Sequence, residues 1–317
     1  MAKNPTQSPE GESPFELARL LRLNQCLADF DRDASAAYEA KQTGQPRGPQ
    51  SGFEALDRAL GHAFAPGLHP IHGNAGAGKT AFALQVAARC GFPALFVSCE
   101  MAPSELLRRH TARETKTYLG RFKTGEFTPE AARALALRAI EASPLLAILD
   151  ATQAPATPNH IRHCALAIKG EAKSVLVVID SLQSWTDYLP TDEYESINTG
   201  IKDLRDLALG MNIPILFTSE RNRDSMKSGG LNAGAGSRKI EYGAETLFDL
   251  ERDSETLQDG AGEVGITLKI AKNRHGAAGV EIPLKFNGAL QSFRELDSME
   301  ATERASQKVT TTQRGRR

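Results

Sequence analysis

The sequence predicts an α/β fold: a mostly parallel, twisted sheet with helices on both faces and an antiparallel extension near its C-terminal end. Three observations lead there. Four short runs, Ala94–Val97, Leu145–Leu149, Val175–Ile179 and Ile213–Phe217, are almost wholly apolar and only four or five residues long. That is too short for an ordinary helix and suits strands buried on both faces. Helical periodicity fills the intervals, at about 80–90, 103–114, 128–142, 157–169 and 194–210. Strand–helix alternation predicts a parallel sheet covered on both sides. After residue 244 the pattern turns strand-rich, at Thr246–Leu250, Val264–Ala271 and Val280–Phe286. These strands extend one sheet edge, partly antiparallel.

The flanks differ from this core. Residues 1–14 are polar and rich in Pro, Ser and Glu, and read as a disordered tail. Residues 15–50 read as one amphipathic helix and a linker. Leu20, Leu23, Leu27, Phe30, Ala34 and Tyr38 recur at steps of three or four, and the Gly- and Pro-containing TGQPRGP (43–49) follows. Residues 51–295 form the main domain. Residues 296–317 read as a disordered basic tail, with Arg304, Lys308, Arg314, Arg316 and Arg317 against Glu303 in the last stretch.

Composition excludes several classes. The 317 residues are 40% hydrophobic and 24% charged, which is globular. Lys plus Arg is 38 and Asp plus Glu is 39, a net charge of -1, so any contact with nucleic acid has to come from local patches. Apolar runs of about half a dozen residues fall well short of the roughly 18 that a membrane span requires. The N-terminus has no apolar core for a secretory signal. The four cysteines, Cys26, Cys90, Cys99 and Cys164, form no CxxC pair and are expected as reduced, buried thiols of a cytoplasmic protein. His160, His163 and Cys164 share helical spacing but have no evident fourth metal ligand.

The strongest chemical signal is residues 73–80, Gly73-Asn74-Ala75-Gly76-Ala77-Gly78-Lys79-Thr80, with Ala81 next. They fit the phosphate loop G-x-x-x-x-G-K-[ST] at every fixed position. Glycines let backbone N–H groups converge on a phosphate, and the helix that starts near Lys79 adds the positive end of its dipole. Lys79 supplies a mobile charge for the β and γ phosphates, and the Thr80 hydroxyl is a ligand for Mg²⁺. A strand candidate, Leu68–His72, precedes the loop, with Pro70 as a small irregularity. The metal also needs a carboxylate at a strand end. Asp150 and Asp180 both qualify. The run before Asp180 is β-branched at Val175, Val177, Val178 and Ile179, the better central strand. Asp180 is therefore assigned to Mg²⁺ and Asp150 a structural role.

Several motifs then line up in order. SGFEALDRALGHAFAPGLHPIHGNAGAGKT (51–80) resembles the opening segment of RecA-like ATPases of the DnaB-type replicative helicase and KaiC/RadA group. Ser98-Cys99-Glu100-Met101 resembles the S-L-E-M segment of the DnaB-type helicases. VLVVIDSLQSW (175–185) resembles their metal-binding strand and FTSERNR (217–223) their S-Q-x-N-R sensor strand. GSRKIEYGAETLFDLERD (236–253) and KIAKNRHGAAGVEIPLKF (269–286) resemble the helix–strand unit and K-x-R-x-G hairpin that follow. The resemblance covers about 51–290 and implies a RecA-like P-loop NTPase core that uses ATP and Mg²⁺. It implies that Glu100 orients the attacking water and accepts its proton. It implies that Arg274 is an arginine finger and Lys272 a second cation, both delivered into a neighbouring subunit's site. Glu220 departs from the pattern, standing where the family has a sensor glutamine.

The resemblance further implies a homo-oligomeric, hexameric ring around single-stranded DNA, acting in replication with other replication proteins. The DNA would be contacted by segments after the metal-binding and sensor strands, here about 184–198 and 222–238. The second carries Arg221, Arg223, Lys227, Arg238 and Lys239 around its glycines and lacks aromatic residues, which favours backbone tracking without sequence preference. The first is acidic and is discounted. The helix at 15–40 would suit either a swapped contact or packing on its own domain. Two functions are weighed: a DNA-translocating helicase, and an ATP-driven switch or loader acting on a protein partner.

Overall fold

The computed structural model describes residues 20–220, 235–253, 262–297 and 299–301, with backbone alone for 235–238. The tail 1–14, the basic segment 221–234 and all but the first few residues of the tail 296–317 lie outside them, and with them Arg221, Arg223 and Lys227. Backbone contacts divide the chain into two units, one through Gln45 and one from Pro46 onward.

The described part of the first unit is a single helix, α1 (Leu27–Thr43), entered through a 3-10 turn at Leu23–Cys26. The described part of the expected helix therefore starts later than the apolar periodicity suggests. Arg22 is extended, and its N–H donates to the Gln25 side chain at 2.7 Å, which caps the turn and holds residues 20–22 out of it. Gly44, at φ +69°, ends α1 in the left-handed conformation that glycine adopts at low cost. Leu23, Leu27, Phe30 and Tyr38 are all exposed.

Among the described residues the second unit is built on nine strands: β1 (Gly67–Gly73), β2 (Ala94–Ser98), β3 (Leu146–Asp150), β4 (Leu176–Asp180), β5 (Pro214–Glu220), β6 (Thr246–Arg252), β7 (Glu263–Asn273), β8 (Val280–Asn287) and β9 (Ser292–Glu295). Their order in one sheet is β3-β2-β4-β5-β1-β6-β7-β8-β9. The first six are parallel, and β6 to β9 pair antiparallel. The predicted architecture is thus present, and β9 is an addition that its four residues were too short to announce.

Alternate residues of the central strands enter two separate cores. Phe96, Val178 and Leu216 pack on one face with Phe82, Leu84 and Leu106. Leu95, Val97, Val177, Ile179, Ile215 and Phe217 pack on the other with Ile161, Leu204 and Trp185. Two-residue side-chain alternation in a sheet covered on both faces requires this. The first core rests on α3 (Lys79–Arg89) and α4 (Pro103–Glu114), the second on α7 (Pro158–Lys169), α8 (Leu182–Thr186) and α9 (Glu193–Met211). Further helices among the described residues are α2 (Glu54–Ala59), α5 (Leu119–Lys123), α6 (Pro129–Ala142) and α10 (Ala235–Gly243). Side-chain oxygens of Thr128, Thr157 and Asp192 cap α6, α7 and α9.

Three details correct or explain the sequence reading. Pro70 sits in a break of the β1–β6 ladder, between the Leu68–Ala244 bridge and the Ile71–Phe248 pair, where its missing N–H leaves no bond unmade. The segment 184–198 is mostly helical, in α8 and α9, with only 187–192 between them. Of the cysteines only Cys90 is fully buried; Cys99 and Cys164 are half-buried and Cys26 is exposed on the first unit.

His69, in the middle of β1, is fully buried, with one ring nitrogen 2.6 Å from the Thr246 hydroxyl and the other 2.7 Å from the Ala65 carbonyl. A neutral ring satisfies both, donating to the carbonyl and accepting from the hydroxyl. Burial holds its pKa down at about 4. A depressed histidine stabilises the fold fully above its ordinary pKa and loses that stability as pH falls toward the folded value. Between pH 7 and 4 the unfolding free energy should therefore drop by up to about 3 kcal/mol on account of His69. Denaturant titrations of the parent and His69→Asn across that range check this: their difference should shrink as the pH falls.

Candidate nucleotide site

The C-terminal ends of β1, β2, β4 and β5 lie side by side and enclose a cavity of about 320 Å³. Crevices at the carboxyl ends of parallel strands are where such sheets bind ligands. The loop Gly73–Gly78 leads from β1 into α3. Gly73 admits no side chain, since a Cβ would lie 2.8 Å from the Leu250 carbonyl. Gly78 has φ +90°, and a Cβ there would meet the Phe293 ring at 2.9 Å. Gly76 and Gly78, Lys79, Thr80 and Ala81 all line the cavity, as does Ala75. Asn74 and Ala77 complete the loop, with the Ala77 N–H donating to the Asn74 carbonyl.

Lys79 is the first residue of α3, and its ammonium donates to the carbonyls of Gly73 at 2.9 Å and Asn74 at 3.2 Å. It is thus held at the mouth of the loop, by bonds that a phosphate can replace. Thr80 donates its hydroxyl to Asp180 Oδ1 at 3.2 Å, and Thr218 on β5 donates to the same oxygen at 2.6 Å. Asp180 is buried, which raises its carboxyl above the usual range against the opposing pull of the two hydroxyls. Its Oδ2 is buried and has no hydrogen-bond partner among the described residues. A buried carboxylate oxygen left over beside a threonine hydroxyl and a phosphate loop fits a hard divalent cation such as Mg²⁺. Asp150 ends the edge strand β3, and its carboxylate accepts from the Thr152 N–H and hydroxyl, a local turn contact away from the loop.

Glu100 lies two residues beyond β2 and lines the cavity. Its Oε1 accepts from Ser181 at 2.5 Å and from Ser184 at 2.8 Å. Glu220, at the end of β5, is exposed and lines the same cavity, so the carboxylate that departs from the family pattern stands at the site.

Lys272 and Arg274 are elsewhere. Because β7 runs antiparallel to β6, its C-terminal end meets the start of β1: the Arg274 N–H donates to the Glu245 carbonyl, and the Glu245 N–H donates to Leu68. Five residue steps of β1 separate Leu68 from Gly73, about 17 Å of strand. The Arg274 guanidinium donates to the Tyr242 carbonyl at 2.7 Å and to Glu245 Oε1 at 3.3 Å. The Lys272 ammonium donates to the Glu241 carbonyl at 2.6 Å. Burial first, then Arg274, lower its pKa. Neither side chain lines the cavity of its own chain. Of the five basic residues assigned to nucleic acid, Lys239 is exposed on α10; Arg238 is described by its backbone alone.

Sequence reasoning missed Ser181, Ser184, Thr218, Arg109 and Gln291. Arg109, from α4, donates to Gln291 at 2.8 Å, and both line the cavity. The two serines and Thr218 lie within the quoted segments 175–185 and 217–223 but fit no spacing rule. Arg109 and Gln291 are 182 residues apart, and no local signal joins them.

Comparison with known proteins places this geometry. Residues 48–295 match the DnaB-like helicase C terminal domain. The chain is 25% identical over 264 residues to the replicative DNA helicase DnaB of Geobacillus stearothermophilus, an alignment that covers 80% of this chain and 58% of that protein. It therefore spans little more than half the length of this curated relative. Among solved structures, one of an isolated ATPase domain superposes with a TM-score of 0.68 at 21% identity, covering 84% of this chain and 98% of that one. A DnaB-like replicative helicase, solved in a study of its interactions with primase, gives 0.67 at 22% identity, over 84% of this chain and 67% of that one. A KaiC-like protein from Pyrococcus horikoshii gives 0.54 at 18% identity, over 78% and 98%. The RecA-like sheet, the phosphate loop at its crevice and a family match across most of the length lead to one conclusion: the chain belongs to the DnaB-like helicase C-terminal domain family.

Proposed function

We propose that this protein is a Mg²⁺-dependent ATPase that works as a ring of identical subunits, moves along single-stranded DNA and separates duplexes during replication. The observation that carries the reading is the gathering of Lys79, Thr80, Glu100 and Asp180 around one cavity while Lys272 and Arg274 stand at the far end of the same sheet. A phosphate loop with its acids and no finger is half of a site, and a neighbouring copy in a ring supplies the other half.

In this reading the loop N–H groups and Lys79 bind the β and γ phosphates. Thr80 and Asp180 hold the cation, which when bound neutralises charge on the phosphate oxygens. Glu100 orients a water molecule in line with the γ phosphate and takes up its proton. Arg274 of the next subunit stabilises the charge that develops as the bond to the leaving diphosphate lengthens, and Lys272 adds a second positive charge. Arg221, Arg223, Lys227, Arg238 and Lys239 contact the DNA backbone.

The position of Glu220 supports a second reading, an ATP-driven switch or loader that acts on a protein partner without unwinding. A carboxylate beside the γ phosphate repels it unless a cation intervenes, which weakens the link between hydrolysis and DNA movement. Turnover measured with and without single-stranded DNA, alongside a strand-displacement assay, separates the two. The helicase reading expects stimulation together with displacement; stimulation by neither strand nor fork favours the switch.

Lys79→Ala and Arg274→Ala should each reduce ATP turnover by about 10³-fold or more. Mixed in equal amounts, they should regain part of it, because some interfaces then pair an intact loop with an intact finger. Mixtures as inactive as the separate variants would argue against a shared site. Neutralising Arg221, Arg223 and Lys227 together should flatten the plot of log affinity for single-stranded DNA against log salt, by about 0.7 for each phosphate left without its cation. An unchanged slope would remove this segment from the DNA path.

A further inference from the structure

We propose that Ser184, with Ser181, is a positioning residue that holds Glu100 in the orientation from which it acts; this rests on the reading of Glu100 as the group that orients water. Glu100 is exposed, on the turn beyond β2, where a free glutamate samples many rotamers. Here it is held. The hydroxyls of Ser181 and Ser184 both donate to Oε1, at 2.5 and 2.8 Å. Two donors satisfy that oxygen's lone pairs. Oε2 accepts no hydrogen bond from the described residues and is left for a water in the cavity that Glu100 lines.

The donors stand on a rigid frame. Ser181 caps α8, its hydroxyl accepting from the Ser184 N–H, so both serines belong to one helical turn. Leu182 and Trp185 on that turn are buried, and the Trp185 indole N–H donates to the Ala156 carbonyl at 2.7 Å. Gln183 donates to Ser219 at 3.0 Å, which ties the same turn to the end of β5 beside Glu220. The backbone closes the arrangement, with the Cys99 N–H donating to the Asp180 carbonyl at 2.9 Å. The turn after the metal strand therefore sets the direction of a carboxylate 84 residues earlier in the chain.

Ser184 is the residue to change, because it is half-buried and its side chain does not cap the helix, whereas Ser181 does. In the 317-residue chain, Ser184→Ala should lower kcat for ATP about tenfold with KM unchanged within about twofold, the scale on which a small misplacement of a reacting group is felt. Ser184→Thr keeps the hydroxyl and should restore most of the loss. In a Glu100→Gln background, read under single-turnover conditions, Ser184→Ala should cost nothing further, since a residue acting through another is silent once that other is gone. An unaltered kcat in Ser184→Ala, equal losses in both backgrounds, or failure of threonine to restore activity would overturn the proposal. Full turnover by Glu100→Gln alone would instead overturn the role given to Glu100, and is distinguishable because it needs no serine variant.

Discussion

One buried carboxylate ties the site to the sheet. Asp180 ends β4 in the middle of the parallel section, and its Oδ1 accepts from Thr80 at the start of α3 and Thr218 on β5. Burying a carboxylate costs free energy unless hydrogen bonds or a cation compensate it. Two hydroxyls compensate one oxygen and leave the other open, so three segments far apart in sequence are drawn to one point that still favours positive charge. The phosphate loop inherits its position from this, because Thr80 adjoins Lys79 and both belong to the first turn of α3.

The loop is also shaped from outside. Gly73 and Gly78 are pressed by the Leu250 carbonyl and the Phe293 ring, which belong to β6 and β9. The antiparallel extension is therefore more than an ornament on the sheet edge. It packs Phe286 against Phe293 with ring centroids 4.4 Å apart, and it brings Gln291 to Arg109 at the cavity. Its other end carries Lys272 and Arg274 away from that cavity. A hairpin crossing the full height of the sheet has one end beside the phosphate loop and the other at the opposite ends of the strands. Head-to-tail repetition of such a subunit generates a ring when the rotation between copies closes.

Charge in the cavity is lopsided. Glu100, Asp180 and Glu220 face it with Lys79 as the cation of the phosphate loop, and Arg109 is shared with Glu105 and Gln291. Nucleotide phosphates entering such a space would require added positive charge, which in the reading proposed above comes from a divalent ion and from the neighbouring copy. In that same reading the requirement links ATP use to assembly. Glu220 intensifies it, as a carboxylate where the resemblance leads one to expect a neutral amide.

The sequence by itself determined the α/β class, the parallel core and the phosphate loop. These are local: apolar runs of strand length, helical periodicity between them, and glycines at the spacing of the phosphate-loop motif. It also told the strand of Asp180 from that of Asp150, because a β-branched run marks a central strand and the run that ends at Asp150 forms the sheet edge. The tertiary structure decided what depends on register and on strand direction. The serines at Glu100, Thr218 on Asp180, and Arg109 with Gln291 meet only after the sheet has ordered its strands, and hydrogen-bond partners separated by 38 to 182 residues leave no periodic trace. Only the antiparallel turn of β7 decided that Lys272 and Arg274 stand a full strand length from the loop of their own chain, since a motif records which residues are present and not which end of a strand they occupy.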